Sequence, residues 1–200
     1  YTVSPAPVSV LYDSPFKTME ELIAFGQANP GKLRWATGSP RGTNHIATEA
    51  ALRQNNVQGQ FVPFKGGAKA MTALLAGDIE FVVVTDFGPA LKNKQIRLLA
   101  ESGPSKIKGY PDIRTYKELG YDLTLPIFLG MGAPAGIPEE AVKWWEEVLL
   151  NISTDAGFAA VLSKYLTPQA YLDSESFTNR IHNGYVNTGE TLKALELLDN

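Results

Sequence analysis

Apolar positions in the first hundred residues come in two kinds of block that alternate along the chain. Short, nearly continuous apolar or β-rich runs read as strands, and longer stretches with apolar residues three or four apart read as helices. Thr18-Met19-Glu20-Glu21 is a capping box, with Thr18 as N-cap and a Glu three residues on. It opens a helix with Met19, Leu22 and Ile23 on one face, stopped by Asn29-Pro30-Gly31. A strand is predicted at Leu33 to Thr37, a polar loop from Gly38 to Asn44, and then a helix carrying Ile46, Ala47 and Ala50. The cycle repeats with a strand at Gln60 to Phe64, the loop Lys65-Gly66-Gly67, and a helix from Ala68 to Ala76 ended by Gly77. Ile79 to Val84 is apolar almost throughout, as expected of a strand buried on both faces. Thr85-Asp86-Phe87-Gly88 leads into a short helix to about Asn93, and a strand follows at Ile96 to Ala100. Such a series predicts an α/β fold with a mostly parallel sheet and right-handed crossovers.

The pattern loosens from Gly103 to Pro126, where only Thr115 to Leu119, closed by Gly120, reads as a short helix. Leu125 to Ala133 is strand-like, and Pro134-Ala135-Gly136-Ile137-Pro138 is a stiff connector into a helix with Val142, Trp145, Val148, Leu149 and Ile152 on one face. At least one of the neighbouring Trp144 and Trp145 is expected in a core, because they point about 100° apart. Helical patterns follow near Asp155 to Ser163 and from about Ser174 to Leu198. These helices have scarcely a strand to pack on, so part of a second domain is expected to lie outside this chain. No internal repeat is visible.

Composition narrows the function classes. Apolar residues make up 44% of the 200 and charged residues 20%, so the chain is globular rather than disordered or fibrous. A formal charge of −3 without a basic run argues against a nucleic-acid binder. The absence of cysteine excludes disulfides, a thiolate nucleophile and thiolate metal sites. No apolar stretch is long enough to span a bilayer, and the opening Tyr1-Thr2-Val3 predicts a processed protein or an excerpt of a longer one.

In an open parallel sheet, ligands bind where strands end and loops enter helix N-termini. Three such loops, Gly38 to His45, Lys65 to Ala68 and Thr85 to Gly88, are expected on one sheet edge. They are small, hydroxylated or glycine-rich, and the first two carry one cation each. Free N–H groups at helix starts favour an anion, and Ser39, Thr43 and Asn44 add donors. Glycine-rich loops also arise simply because tight turns need glycine, a reading that three loops in register weaken. Neither GxGxxG nor GxxxxGK[ST] is present, so no nucleotide cofactor is expected. Arg41 offers a bidentate carboxylate contact or is merely solvated; Asp86 accepts from a ligand or caps a helix. A lone His such as His45 is more often a structural hydrogen-bonder than a catalyst. His182 is distant from it, no metal site is expected, and GxSxG is absent.

At these loops the chain resembles a known family. Asn29-Pro30-Gly31-Lys32-Leu33, Gly38-Ser39-Pro40 with Gly42-Thr43-Asn44-His45, Val62-Pro63-Phe64-Lys65-Gly66-Gly67-Ala68 and Leu74-Leu75-Ala76-Gly77-Asp78 resemble the tripartite tricarboxylate transporter substrate-binding family, the TctC or Bug receptors. Tyr110-Pro111-Asp112-Ile113 with Thr115, Glu118 and Gly120, then Ala133 to Pro138, continue the match in order. The resemblance implies a periplasmic-binding-protein-like, type II, two-domain fold with its first domain incomplete. Residues 1–5 would be the crossover from domain one, 6–124 domain two, and 125–200 the returning part of domain one. It implies ligand-binding residues Ser39, Arg41, Gly42, Thr43, Asn44, His45, Lys65, Gly66, Thr85 and Asp86, with Phe128 where many members carry Trp. The spacing from Gly42 to His45 is one residue shorter than the family pattern.

The function so implied is that of a receptor without enzymatic activity. It captures a small mono-, di- or tricarboxylate and hands it to membrane permease subunits of a tripartite tricarboxylate transporter. Such a receptor is periplasmic, or extracytoplasmic and lipid-anchored in a Gram-positive host. Two alternatives share the residues: the ligand-sensing effector domain of a transcription regulator, and a hydrolase or transferase using Ser39, His45 and Asp86.

Overall fold

The computed structural model describes residues 2–194. They form two compact units, one spanning Pro5–Ile127 and the other joining the chain up to Ser4 with the chain from Phe128 onward.

The Pro5–Ile127 unit is built on a five-stranded sheet. Its strands are β2 (Pro7–Leu11), β3 (Leu33–Thr37), β4 (Gly59–Phe61), β5 (Phe81–Val83) and β6 (Ile96–Glu101), in the order β4-β3-β5-β2-β6; β1 (Thr2–Ser4) lies outside it. Strand β3 pairs parallel with β4 and β5, opposing Trp35 to Phe61 and to Phe81. Strand β2 runs antiparallel to both β5 and β6. Four strands therefore share one direction, as the alternating pattern predicts, and one opposes them. That fifth strand is absent from the sequence-based prediction, although Val8 and Val10 are fully buried in it. Its Pro7 stands at the first strand position, where a missing N–H is tolerated.

Helices α1 (Met19–Ala28), α2 (Thr43–Gln54), α3 (Gly67–Leu75) and α4 (Gly88–Lys92) connect the strands. Thr18 caps α1 as expected, its hydroxyl accepting from the Glu21 N–H at 3.2 Å, while the Glu21 carboxylate takes the Lys17 N–H. Met19, Leu22 and Ile23 are buried on that helix, and Ala47 and Ala50 on α2. At the centre, Trp35 is wholly buried, stacked on Phe81 at 5.7 Å and edge-on to Phe61 at 4.9 Å. Each such buried side chain contributes about 1.5–3 kcal/mol relative to exposure.

Beyond β6, two expected elements contract. The helix predicted at Thr115 to Leu119 is a single turn: Thr115 forms a parallel bridge with Glu101, and its N–H is taken by the Glu118 carboxylate at 2.9 Å. The strand predicted over Leu125 to Ala133 is regular only as β7 (Ile127–Leu129), paired with β1.

The second unit carries α5 (Glu139–Thr154), α6 (Ala156–Lys164) and α7 (Ser174–Ala194). Asp155 caps α6, accepting from the Phe158 N–H at 2.7 Å. The final turn predicted to Leu198 lies outside the described residues. No residue of α5 or α6 is buried. The expectation that Trp144 or Trp145 sits in a core is corrected: they are 57% and 43% exposed and pack edge-to-face on each other.

Candidate ligand-binding site

Strands β3, β4 and β5 run in one direction, so the loops that follow them emerge on one sheet edge. Close backbone approach brings the loops together. The Gly66 N–H donates to the Gly38 carbonyl at 2.9 Å, and a Cβ on Gly38 would stand 2.9 Å from the Gly67 nitrogen, so only glycine fits there. Gly66 has φ +103°, a conformation that side chains rarely adopt. The Asn44 amide Nδ2 reaches across to the Val83 carbonyl of β5 at 3.4 Å, two residues before Thr85. From that third loop the Asp86 carboxylate leans onto Gly67, where a Cβ would collide with it.

Electrostatically the cradle offers donors. Helix α2 has Gly42 as N-cap and α3 has Gly66; neither has a side-chain cap or an acidic residue in its first turn. Their N-caps make no side-chain hydrogen bond to the first N–H groups, and the helix dipole adds positive potential, which the Asp86 carboxylate beside Gly67 partly offsets at α3. Ser39, Thr43, Lys65 and Gly66 are exposed, and Gly42, Asn44, Thr85 and Asp86 half-buried. The Thr37 hydroxyl donates to the Ser39 carbonyl at 3.0 Å, and a turn closes from Ser39 to Gly42. Within that turn Arg41 holds φ +61°, which costs a non-glycine residue roughly 1–3 kcal/mol, while its side chain is exposed.

His45 occupies the first turn of α2, yet its ring is stacked on Phe61 at 3.8 Å and lies edge-on to Trp35 at 5.3 Å. Its Nδ1 accepts from the Arg41 N–H at 2.9 Å, which places the neutral ring's proton on Nε2. Burial pushes its pKa below the ordinary histidine value, so the ring is uncharged at neutral pH. No hydrogen bond joins Ser39, His45 and Asp86 among the described residues. Phe128 belongs to the other unit, where its ring meets Phe177 edge-on at 5.8 Å and lies 5.4 Å from the Arg180 guanidinium.

Nine of the eleven singled-out residues thus fall on the three converging loops, His45 turns onto the Trp35–Phe61 cluster, and Phe128 stands in the second unit. Gly38 and Gly67, which permit the convergence, and Trp35 and Phe61, which support His45, were not among them. The glycines' role depends on a contact between loops about thirty residues apart, for which the sequence holds no local signal. Among the described residues no group of three or more metal-ligating side chains occurs, and no helix is long and apolar enough to cross a membrane.

A family model described as the tripartite tricarboxylate transporter family receptor, TctC, matches residues 2–197. The UPF0065 protein of the gbd 5′ region in Cupriavidus necator is 30% identical over 82% of this chain and 51% of its own length. The chain therefore spans about half the length of that curated relative. A TctC solute-binding protein from Polaromonas, solved without ligand, superposes with a TM-score of 0.73 at 25% identity, covering 96% of this chain and 67% of that one. An R. palustris protein solved with adipate has the same fold, with a TM-score of 0.87 at 19% identity over 98% of this chain and 66% of that one. The converging glycine loops, the sheet and the ordered motifs lead to one conclusion: this chain belongs to the TctC family of tripartite tricarboxylate transporter receptors.

Proposed function

We propose that this chain is the ligand-binding part of an extracytoplasmic receptor that captures a small carboxylate and delivers it to the membrane subunits of a tripartite tricarboxylate transporter. The observation that carries this reading is the meeting of two uncapped helix N-termini, those of α2 and α3, at loops tied together by Gly38 and Gly66. A carboxylate placed there receives N–H donors already held in position, so little ordering is required on binding. Ser39, Gly42, Thr43, Asn44, Lys65, Gly66 and Thr85 are the proposed contacts, with Arg41 as an exposed cation at the rim. His45 supports the loop from below through its bond to Arg41 N–H. Pro5–Ile127 acts in this reading as the second receptor lobe, and the segment with Phe128 as the returning part of the first. The adipate bound by the R. palustris relative supports a carboxylate of this size class.

A thermal-shift and calorimetric panel of carboxylates, run on this chain and on the protein at the length of its relatives, tests the reading. Ligand at a hundred times its Kd adds about 2.7 kcal/mol of stability, a readily measured shift. A carboxylate response of the longer protein is expected. Silence to the whole panel overturns the proposal.

A further inference from the structure

His45 is tied to the loop before α2 by a hydrogen bond that depends on the charge of its ring. Its Nδ1 accepts from the Arg41 N–H at 2.9 Å, which only a ring without a proton on Nδ1 can do. Arg41 holds φ +61°, a backbone conformation that a non-glycine residue keeps only where its surroundings enforce it. The same bond therefore steadies the turn from Ser39 to Gly42, and Gly42 is the N-cap of α2. The ring itself is held in place, stacked on Phe61 of β4 at 3.8 Å and edge-on to Trp35 of β3 at 5.3 Å. Neither neighbour carries a charge. Burial, the largest influence, lowers the pKa of the ring; Glu49, one turn along α2 and paired with Arg53 at 2.9 Å, raises it, and Arg41 lowers it. The first turn of α2 adds the positive end of the helix dipole, which also opposes a cation.

Resting on the receptor reading above, we infer that His45 is a positioning residue that holds the Ser39–Gly42 turn ready for a ligand only while its ring is neutral, so that acidification frees the turn and weakens binding. A proton on Nδ1 turns the acceptor into a donor, and the bond to the Arg41 N–H becomes a contact between two donors. The Arg41 backbone then leaves its left-handed conformation, and the N–H groups at the α2 start lose their fixed direction. Binding, which needs the neutral ring, is therefore linked to release of a proton. A carboxylate that acted on the ring through its charge alone has the opposite sign, since it favours the imidazolium and takes a proton up. The sign of the linkage separates a ring that positions the loop from one that only lies near the ligand.

The test begins without ligand, on the protein at the length of its relatives. Nitrogen NMR of the His45 ring, assigned by its loss in His45→Asn, is expected to show the proton on Nε2 at neutral pH and a titration below the ordinary value of 6.5. The Arg41 amide signal is expected to shift with the same midpoint. Calorimetry then uses succinate and adipate as probes. His45→Asn places an amide Oδ1 where Nδ1 stands and has no proton to gain, so its response to pH carries only the ligand's own protonation. Between about pH 7.5 and about pH 5 the parent is expected to lose about threefold or more in affinity beyond that of His45→Asn, and to release a proton on binding. His45→Phe, which stacks but accepts nothing, is expected to bind more weakly than His45→Asn at neutral pH. A proton on Nδ1 at neutral pH, an Arg41 amide that ignores the titration of the ring, a slope equal to that of His45→Asn, or proton uptake on binding overturns the inference while leaving the receptor reading in place. Failure of every carboxylate to bind, with the Arg41 amide still following the ring, overturns the receptor reading and with it the role in binding.

Discussion

The Pro5–Ile127 unit and the helices of the second unit are equally regular along the chain, with amphipathic patterns and side-chain caps in both, but they differ in what their apolar faces meet. Trp35 in the first is wholly buried between Phe61 and Phe81. Trp144 in the second is 57% exposed, Tyr185 81%, and no residue of α5 or α6 is fully buried. Periodicity makes a helix amphipathic in either case; a core forms only where a second layer arrives to remove that face from water. The five-stranded sheet supplies that layer for α1, α2 and α3.

The sharpest way to break this contrast is to delete equal volumes in the two units. Trp35→Ala is expected to cost about 3–5 kcal/mol in denaturant unfolding, whereas Trp144→Ala is expected within about 0.5 kcal/mol of the parent. Equal costs would show that the second unit has an interior after all.

The two units also carry carboxylates with opposite pH responses. Burial pushes the Glu101 carboxyl from 4.5 up to about 7, partly offset by N–H bonds from Ala6 at 3.0 Å and Gly103 at 2.9 Å. A raised acid favours the folded state fully below about pH 4.5, and the benefit is lost as pH rises through about 7. The shift corresponds to roughly 3 kcal/mol. A urea series across pH 4.5 to 8 is expected to show this loss, and Glu101→Gln to flatten it; an unchanged slope in the variant rejects the assignment. In the second unit Ser174, through its side chain and its N–H, holds Glu146 below the ordinary carboxylate range, and Ser176 does the same for Asp173. Those groups contribute stability above the ordinary range that is lost as pH falls through it. Amides near Ser174 and Ser176 should therefore lose hydrogen-exchange protection on acidification.

The smallest expected effects are those that should not differ. Thr18→Ala and Asp155→Ala each remove one N-cap, and each is expected to cost its own helix about 1 kcal/mol, because a cap bond depends on local backbone rather than on a core. Helicity measured by circular dichroism and amide exchange reports both. A several-fold larger loss at Thr18 would tie that cap to the packing of Met19 and Leu22.

Local chemistry was enough to read the capped start of α1, the three small or glycine-rich loops and the α/β alternation, since each depends on residues within one turn or one strand of each other. The chain order of motifs carried the family for the same reason. Strand β2 escaped because five residues led by a proline look like a linker until β5 and β6 flank them. The helix expected at Thr115 to Leu119 gave way to a turn because the pairing of Thr115 with Glu101 claims its first residue for the sheet. His45, Asn44 and Asp86 were legible as polar residues on a ligand edge, but not what each one faces. Stacking on Phe61, reach to Val83 and closeness to Gly67 join residues 16 to 39 positions apart. Such contacts are decided by sheet order and loop convergence, which propensity and periodicity along one chain do not encode.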